Sequence, residues 1–367
     1  MKQKTTKTLK VVSLLVLLSF CAFALLPQAV RATNTVTTTV TVGSNPQAVA
    51  ATPNGLYVYV TNAASGTVSV ISTASNTVTA TVTVGSSPEG VAFTPNGDYA
   101  YVSNEGGTTV SVISTSTNTV TATVTVGTNP VGVAVTPNGQ YAYVTNSAND
   151  TVSVISTATN KVTATATAGS TPVDVAITPN GQYAYVTNAG GGTVSVLSTA
   201  TNTVTSTVTV GGNPQGVAVT PNGQYVYVTN YAGTVSVIST ATNTVKATVT
   251  VGANPADAVV TPNGLYVYVT NYGSGTVSVL STATNTVTST VTVGTTPASV
   301  AVTPNGEAVY VTNAGSGTVS VISAVTGASP TPTVPEFSNL ALVLVVVALA
   351  VVTLSAIVLR VKTRKQL

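Results

Sequence analysis

The stretch VAVTPNGQYAYVTNSANDTVSVI, Val133–Ile155, decides the fold. Three runs of β-branched and aromatic residues lie in it: Val133-Ala134-Val135, Tyr141 to Asn146, and Thr151 to Ile155. Turn residues bound each run, which is how short strands read in a sequence. Between the first two, Thr136-Pro137-Asn138-Gly139 predicts a turn with a mechanism. Proline presets φ at the second position, and glycine accepts the positive φ that other residues resist. A fourth run alternates Thr with Val or Ala, as at Thr119 to Val126. No helical period precedes residue 340.

The unit recurs along the chain. Its turn glycine falls at Gly55, Gly97, Gly139, Gly181, Gly223, Gly264 and Gly306, 42 residues apart except for one interval of 41. The deletion lies in a loop, where Asn230-Tyr231-Ala232-Gly233-Thr234 is shorter than Asn188 to Thr193. Four strands in a unit of about 42 residues are the signature of a propeller blade. The three-strand set occurs seven times, but the last copy ends at Ile322-Ser323 without a fourth strand. One unmatched fourth strand, Thr35 to Val42, stands at the other end of the chain. The expected fold is therefore all-β: a seven-bladed β-propeller of four-stranded antiparallel blades over residues 33–326, closed by its N-terminal strand. Closure removes the exposed edges of an unfinished end blade. An open solenoid would want polar capping repeats and would leave the displaced strand unexplained.

The ends have a different composition. Residues 1–32 read as a secretory signal peptide: Lys2, Lys4, Lys7 and Lys10, then an apolar run from Val11 to Leu26, then Val30-Arg31-Ala32 before a cut. An uncleaved anchor is the alternative. The one cysteine, Cys21, lies in this leader, so no disulfide staples the mature body. Residues 327–339 form a Pro/Thr linker. Residues 340–359 carry no charge and are long enough for a transmembrane helix, with the basic tail 360–367 on the cytoplasmic side. These readings put the body on the extracellular face of the membrane. Between Thr33 and Val334 only Lys161 and Lys246 are basic, against seven carboxylates, so the body has a net charge of −5 and no nucleic-acid footprint.

Two resemblances follow from motifs. Tyr59-Val60-Thr61-Asn62 and its copies ending the second strands resemble the YVTN-family propeller repeat, with departures at Ser103 and Ala308. That resemblance covers most of residues 33–323 and implies a seven-bladed propeller of the archaeal surface-layer type. Pro335-Glu336-Phe337, followed by an apolar helix and a basic tail, resembles a PEF-CTERM sorting signal, which implies a sortase-like processing enzyme as partner. A plain anchor is the simpler alternative. The paired tyrosines of each second strand share a sheet face and are expected to fill the wedge between blades.

Chemistry is harder to find. The chain has no histidine, and its body has no cysteine, methionine or tryptophan, which removes the commonest general base and metal ligand. His-, Cys- or Met-ligated haem and a Ser-His-Asp triad are excluded. No cofactor is expected, and the function read from the sequence is a non-enzymatic structural or interaction scaffold at the cell surface. The non-repeated residues mark where a ligand would sit. Glu89, Asp174 and Asp257 enter first strands, while Glu105 and Asp150 lie in loops after second strands, so all five gather on one face. Tyr231 and Tyr272 add aromatic rings there. This face would suit a cation, with Ca²⁺ possible at Asp174 and Asp257, or a glycan or protein partner. That makes an adhesin or ligand-binding module the alternative, and a carboxylate-only hydrolase in the channel the third reading. Asp174 and Asp257 occupy the same repeat position two blades apart, a separation expected to hinder direct cooperation. Asn149-Asp150-Thr151 is a sequon, so Asn149 is a candidate glycosylation site.

Overall fold

The computed structural model describes residues 34–324. The chain divides into two units, Met1–Thr326 and Gly327–Leu367, and the second lies outside the described residues. So do the expected leader, linker, transmembrane helix and sorting motif. Among the described residues no helix is long and apolar enough to cross a membrane.

Seven four-stranded antiparallel sheets make up the described chain. Blades 1 to 6 span residues 46–83, 88–125, 130–167, 172–209, 214–250 and 255–292, each running outward from its first strand to its fourth. Blade 7 takes three strands from residues 297–323 and its outer strand from Thr35–Thr41, which pairs with Thr318–Ser323. The displaced strand thus closes the ring, as the strand inventory requires. Inner strands touch in sequence around the ring, and the last, Pro297–Val302, returns to the first, Pro46–Ala51.

The turn chemistry is the expected one. In blade 3 the Gly139 amide donates to the Thr136 carbonyl at 2.8 Å, and the Asn138 carboxamide oxygen accepts the Gln140 amide at 3.0 Å. Gly139 sits at φ +71°, and a Cβ there would meet Pro95 of the preceding blade's turn at 3.3 Å. Glycine is needed for its conformation, and the turns pack against one another around one face.

The core lies in the seams. One cluster joins Tyr143, Val152 and Val154 of blade 3 to Val175, Val186 and Leu197 of blade 4. The closing seam joins Val40 of the latch and Tyr310, Val319 and Val321 of blade 7 to Val49, Val58, Val60 and Ile71 of blade 1. Burial of these side chains is the main attraction between neighbouring sheets.

Two rings of hydrogen bonds cross the same seams. The second tyrosine of each pair donates to an asparagine in the outer turn of the next blade, from Tyr59 to Asn118 through Tyr310 to Asn76. The six from Tyr101 to Tyr310 measure 2.6 to 2.8 Å. Blade 7 has no outer turn of its own, and Asn34, at the head of the latch, accepts from Tyr268 in its place. Nearer the axis, the Thr of each Tyr-Val-Thr-Asn donates to a carbonyl of the next inner strand, as Thr145 does to Val173 at 2.8 Å. Ser103 makes the same bond to Val131. The asparagine stays local, Asn146 donating to Ser153 at 2.9 Å. Of this Thr-Asn pair, the threonine thus stitches blades together while the asparagine serves its own blade.

The tyrosine pairs also divide. The second of each is buried in the wedge, as expected, but the first stays between 38 and 42% exposed in blades 1 to 5. It begins its strand at the rim, where the next blade covers only part of the ring.

Candidate functional site

A bulge recurs between the first and second strand of every blade. In blade 3 the pairing runs from Pro130 with Asn146 to Val133 with Val144, so Val131 and Gly132 together face Thr145. A bulge defeats strict alternation and re-aims side chains. Here it turns two successive residues per blade toward the axis.

These residues line a cavity of about 290 Å³ at one end of the channel. One ring of the lining is Gln47, Glu89, Val131, Val173, Gln215, Ala256 and Ala298. The next is Ala48, Gly90, Gly132, Asp174, Gly216, Asp257 and Ser299. Tyr231 and Tyr272, both over a third exposed, complete it from the loops after the second strands. Bonds such as the Ser147 amide to the Asn129 carbonyl at 3.0 Å join those loops to the inner-strand entries, so they share one face.

Glycine makes room for the carboxyls. A Cβ on Gly132 would lie 2.7 Å from the Asp174 Cα, and one on Gly216 would lie 2.7 Å from both the Cα and Oδ1 of Asp257. Asp174 and Asp257 flank Gly216: Asp174 Oδ2 accepts the amide of the adjoining Val217 at 2.9 Å. The separation that the blade count suggested does not isolate them. Asp257 is one of the two causes that raise the Asp174 pKa, after burial.

The pair is asymmetric. Asp174 accepts two backbone amides, from Val175 at 2.8 Å and from Val217. Asp257 accepts three donors: the Ala258 amide at 2.7 Å, the Ser299 hydroxyl at 2.6 Å and the Val300 amide at 3.1 Å. Burial raises both carboxyls, and donors to the charged form oppose that rise. The third donor favours ionisation at Asp257 over Asp174, and negative charge at Asp257 raises the Asp174 carboxyl further, to about 7. Glu89 is a third carboxyl with an upward shift, to about 8, from burial first and then the charge and hydrogen bond of Glu105. The cavity therefore gathers three carboxyls whose protonated forms are favoured by burial, Asp174 up to about 7 and Glu89 up to about 8, with Asp257 the best supplied with donors to its charged form.

The other expected residues are placed as follows. Glu105 adjoins Glu89 but does not line the cavity. Asp150 lies outside it, accepting the Thr171 amide at 2.7 Å. Asn149 is exposed, with its side-chain oxygen accepting the Thr128 amide. Pro335, Glu336 and Phe337 lie outside the described residues. Among the described residues no three His, Cys, Asp or Glu side chains converge as a metal site requires. Sequence reasoning passed over Ser299, Gln47 and Gln215, whose repeat positions match those of the channel carboxyls and were the available signal.

Comparison with known proteins adds three likenesses. Residues 71–205 match the family model "Lactonase, 7-bladed beta-propeller". Residues 181–314 match the model "Cytochrome D1 heme domain". Each covers less than half of the chain. A solved structure titled Kuenenia stuttgartiensis hydrazine synthase is similar over 77% of this chain and 96% of that one, at 24% identity and a TM-score of 0.72, a likeness of fold. No curated protein matches.

These matches correct the sequence reading of function. The matched models are of an enzyme propeller and a haem domain, and they overturn the expected non-enzymatic scaffold together with the expectation that the chain is no enzyme. The physical error was to weigh the absent histidine too heavily. Buried carboxyls with separated pKa values can perform acid–base work without it.

Haem does not fit the residues present. The described residues hold no His, Cys or Met for an axial bond, which leaves tyrosine, here Tyr231 or Tyr272, as the one axial ligand type at the cavity. Their only cations, Lys161 and Lys246, lie on outer strands, so none faces the cavity to meet propionates. The cavity instead carries three carboxyls.

Proposed function

We propose that the ring is a hydrolytic enzyme that opens a small lactone or ester at the channel mouth, using Asp257 as base and Asp174 as acid. The observation that carries this reading is the unequal hydrogen bonding of two neighbouring carboxyls in one cavity, two donors to Asp174 and three to Asp257. Environments that push paired titratable groups apart assign the acid and the base. The likeness of residues 71–205 to a lactonase model supports the substrate class. A volume near 290 Å³ suits a small molecule.

The chemistry balances without a metal or cofactor. Ionised Asp257 takes a proton from water, and the water oxygen attacks the carbonyl carbon. Asp174 gives its proton to the ring oxygen as the C–O bond breaks, leaving a hydroxy acid. Proton return from Asp257 to Asp174 resets the pair. The Ser299 hydroxyl orients Asp257, and Glu89, protonated at neutral pH, can donate to the substrate at the rim. Tyr231 and Tyr272 would contact the apolar face of the substrate. The leader and the segment Leu340 to Leu359 would hold the ring outside the membrane, with Pro335-Glu336-Phe337 as the point of processing.

The test is proton release on a panel of lactones and aryl esters, with wild type beside Asp257→Asn. General-base assistance contributes about 10²- to 10⁴-fold, so a loss of that size is expected. No hydrolysis of any member, or equal rates in the variant, would overturn the assignment.

A further inference from the structure

We propose a second ligand site on the face opposite the channel mouth: an arc of tyrosines that binds a neutral polysaccharide. This site does not depend on the channel chemistry. The residues are the first tyrosines of the pairs, Tyr57, Tyr99, Tyr141, Tyr183 and Tyr225, one per blade on five successive blades. Each begins a second strand one residue after its Thr-Pro-Asn-Gly turn, which places it at the end of the blade away from Tyr231 and Tyr272. The outer turns lie at the same end, since the Thr73 amide donates to the Leu56 carbonyl at 3.0 Å.

Burial separates these tyrosines from the structural ones. The second tyrosine of every pair is at most 1% exposed, whereas these five keep 38 to 42% of their surface in solvent. Packing of the wedge accounts for the first set and leaves the rings of the second set open. The arc has defined ends. In blade 6 the equivalent Tyr266 is 5% exposed, and in blade 7 the position is Ala308.

Polar neighbours define the ligand class. In blades 3, 4 and 5 the residue before the tyrosine is an exposed glutamine whose Oε1 accepts its turn asparagine, Asn138 to Gln140 at 3.2 Å, with Gln182 and Gln224 alike. That bond fixes each carboxamide beside a ring and leaves the glutamine NH₂ group to donate outward. An aromatic face next to planar amide donors matches a sugar ring, which offers C–H bonds on one face and hydroxyls at its rim. The Thr-Pro-Asn-Gly turns of these three blades carry no charged residue, and Lys161, in line with Tyr141 through Ser156, is the one charge in register with their tyrosines, so the arc itself suits a neutral glycan. Repetition at blade spacing matches a ligand that is itself a chain of like units, and several weak platforms on one rigid ring add through multivalency.

Immobilised six-unit β-1,4-glucan, β-1,3-glucan and chitin-type oligosaccharides provide the probes, with the full-length protein in solution. At least one is expected to bind. Tyr141→Ala with Tyr183→Ala should weaken that binding about tenfold or more, as two lost aromatic contacts imply. Tyr141→Phe with Tyr183→Phe keeps the ring faces and should stay within about threefold, which separates stacking from misfolding. Asp257→Asn, on the other face, should bind as wild type does. No binding to any probe, full binding by the alanine variant, or equal loss in the phenylalanine variant would overturn the site. So would self-association that disappears in the alanine variant, because the arc would then be an interface between copies of the chain.

Discussion

Glu89→Gln should raise the melting temperature at about pH 9 and leave it unchanged at about pH 5. The folded protein holds the Glu89 proton up to about pH 8, against an ordinary value of 4.5, because burial and Glu105 disfavour the charge. A carboxyl with a raised folded pKa destabilises the fold as pH climbs. Its proton is bound in both states below about 4.5, is lost only by the unfolded chain between the two values, and is lost by both above about 8. The full shift corresponds to about 5 kcal/mol, and local relaxation around Glu105 lowers the expected figure to about 2–5 kcal/mol. Glutamine has the same shape and no charge to bury, so the variant recovers that amount at high pH. Unfolding entropy for a body of this size is about 0.6 kcal/mol per degree, so the melting point should rise by about 3–8 °C. Thermal melts followed by circular dichroism at the two pH values read it directly. Equal melts at pH 9, or a gain confined to pH 5, would refute the claim that Glu89 is held protonated.

Four further outcomes follow from named contacts. Asn34→Ala removes the acceptor of Tyr268 and the donor to Ser289, and should cost about 1–3 kcal/mol by denaturant titration, while deletion of residues 34–41 should expose Thr318–Ser323 and cause aggregation measurable by light scattering. Gly132→Ala drives a Cβ to 2.7 Å from the Asp174 backbone and should lower the melting temperature by several degrees, whereas Gly212→Ala, with nothing within 4 Å, should not. Ser299→Ala deletes the 2.6 Å donor to Asp257, so the acid limb of any rate profile should move to higher pH; an unmoved limb would show that Asp257 is not the base.

The fold was legible because repetition records it. Seven turn glycines count the blades, and the unmatched run beginning at Thr35 names the latch. Even the bond from Tyr268 to Asn34 was implicit, since Asn34 precedes Thr35 as Asn76 precedes Thr77. The site was legible only in part. Five carboxylates on one face could be read from strand order, and the three placed at first-strand entries, Glu89, Asp174 and Asp257, are the three that line the cavity. Strict strand alternation would send only one of two successive entry residues to the channel, yet both line it in every blade. The difference lies in the inner-strand bulge, which turns both residues after the proline toward the axis and has no residue signature of its own. Nor does a blade count give the width of the channel, so the coupling of Asp174 to Asp257 around Gly216 emerges only in three dimensions. The reading of function failed at the same point. Histidine can be counted in a sequence, whereas the burial that turns an aspartate into an acid cannot.

The most direct test of the central claim is the pH dependence of kcat/KM for the best lactone or ester, in wild type and in Asp174→Asn. Division of labour between the two carboxyls predicts a bell, its acid limb set by ionisation of Asp257 and its alkaline limb by loss of the Asp174 proton. Asp174→Asn should lower the rate by about 10²-fold or more and abolish the alkaline limb. A profile without limbs in the wild type, or a bell that survives intact in Asp174→Asn, would contradict the account.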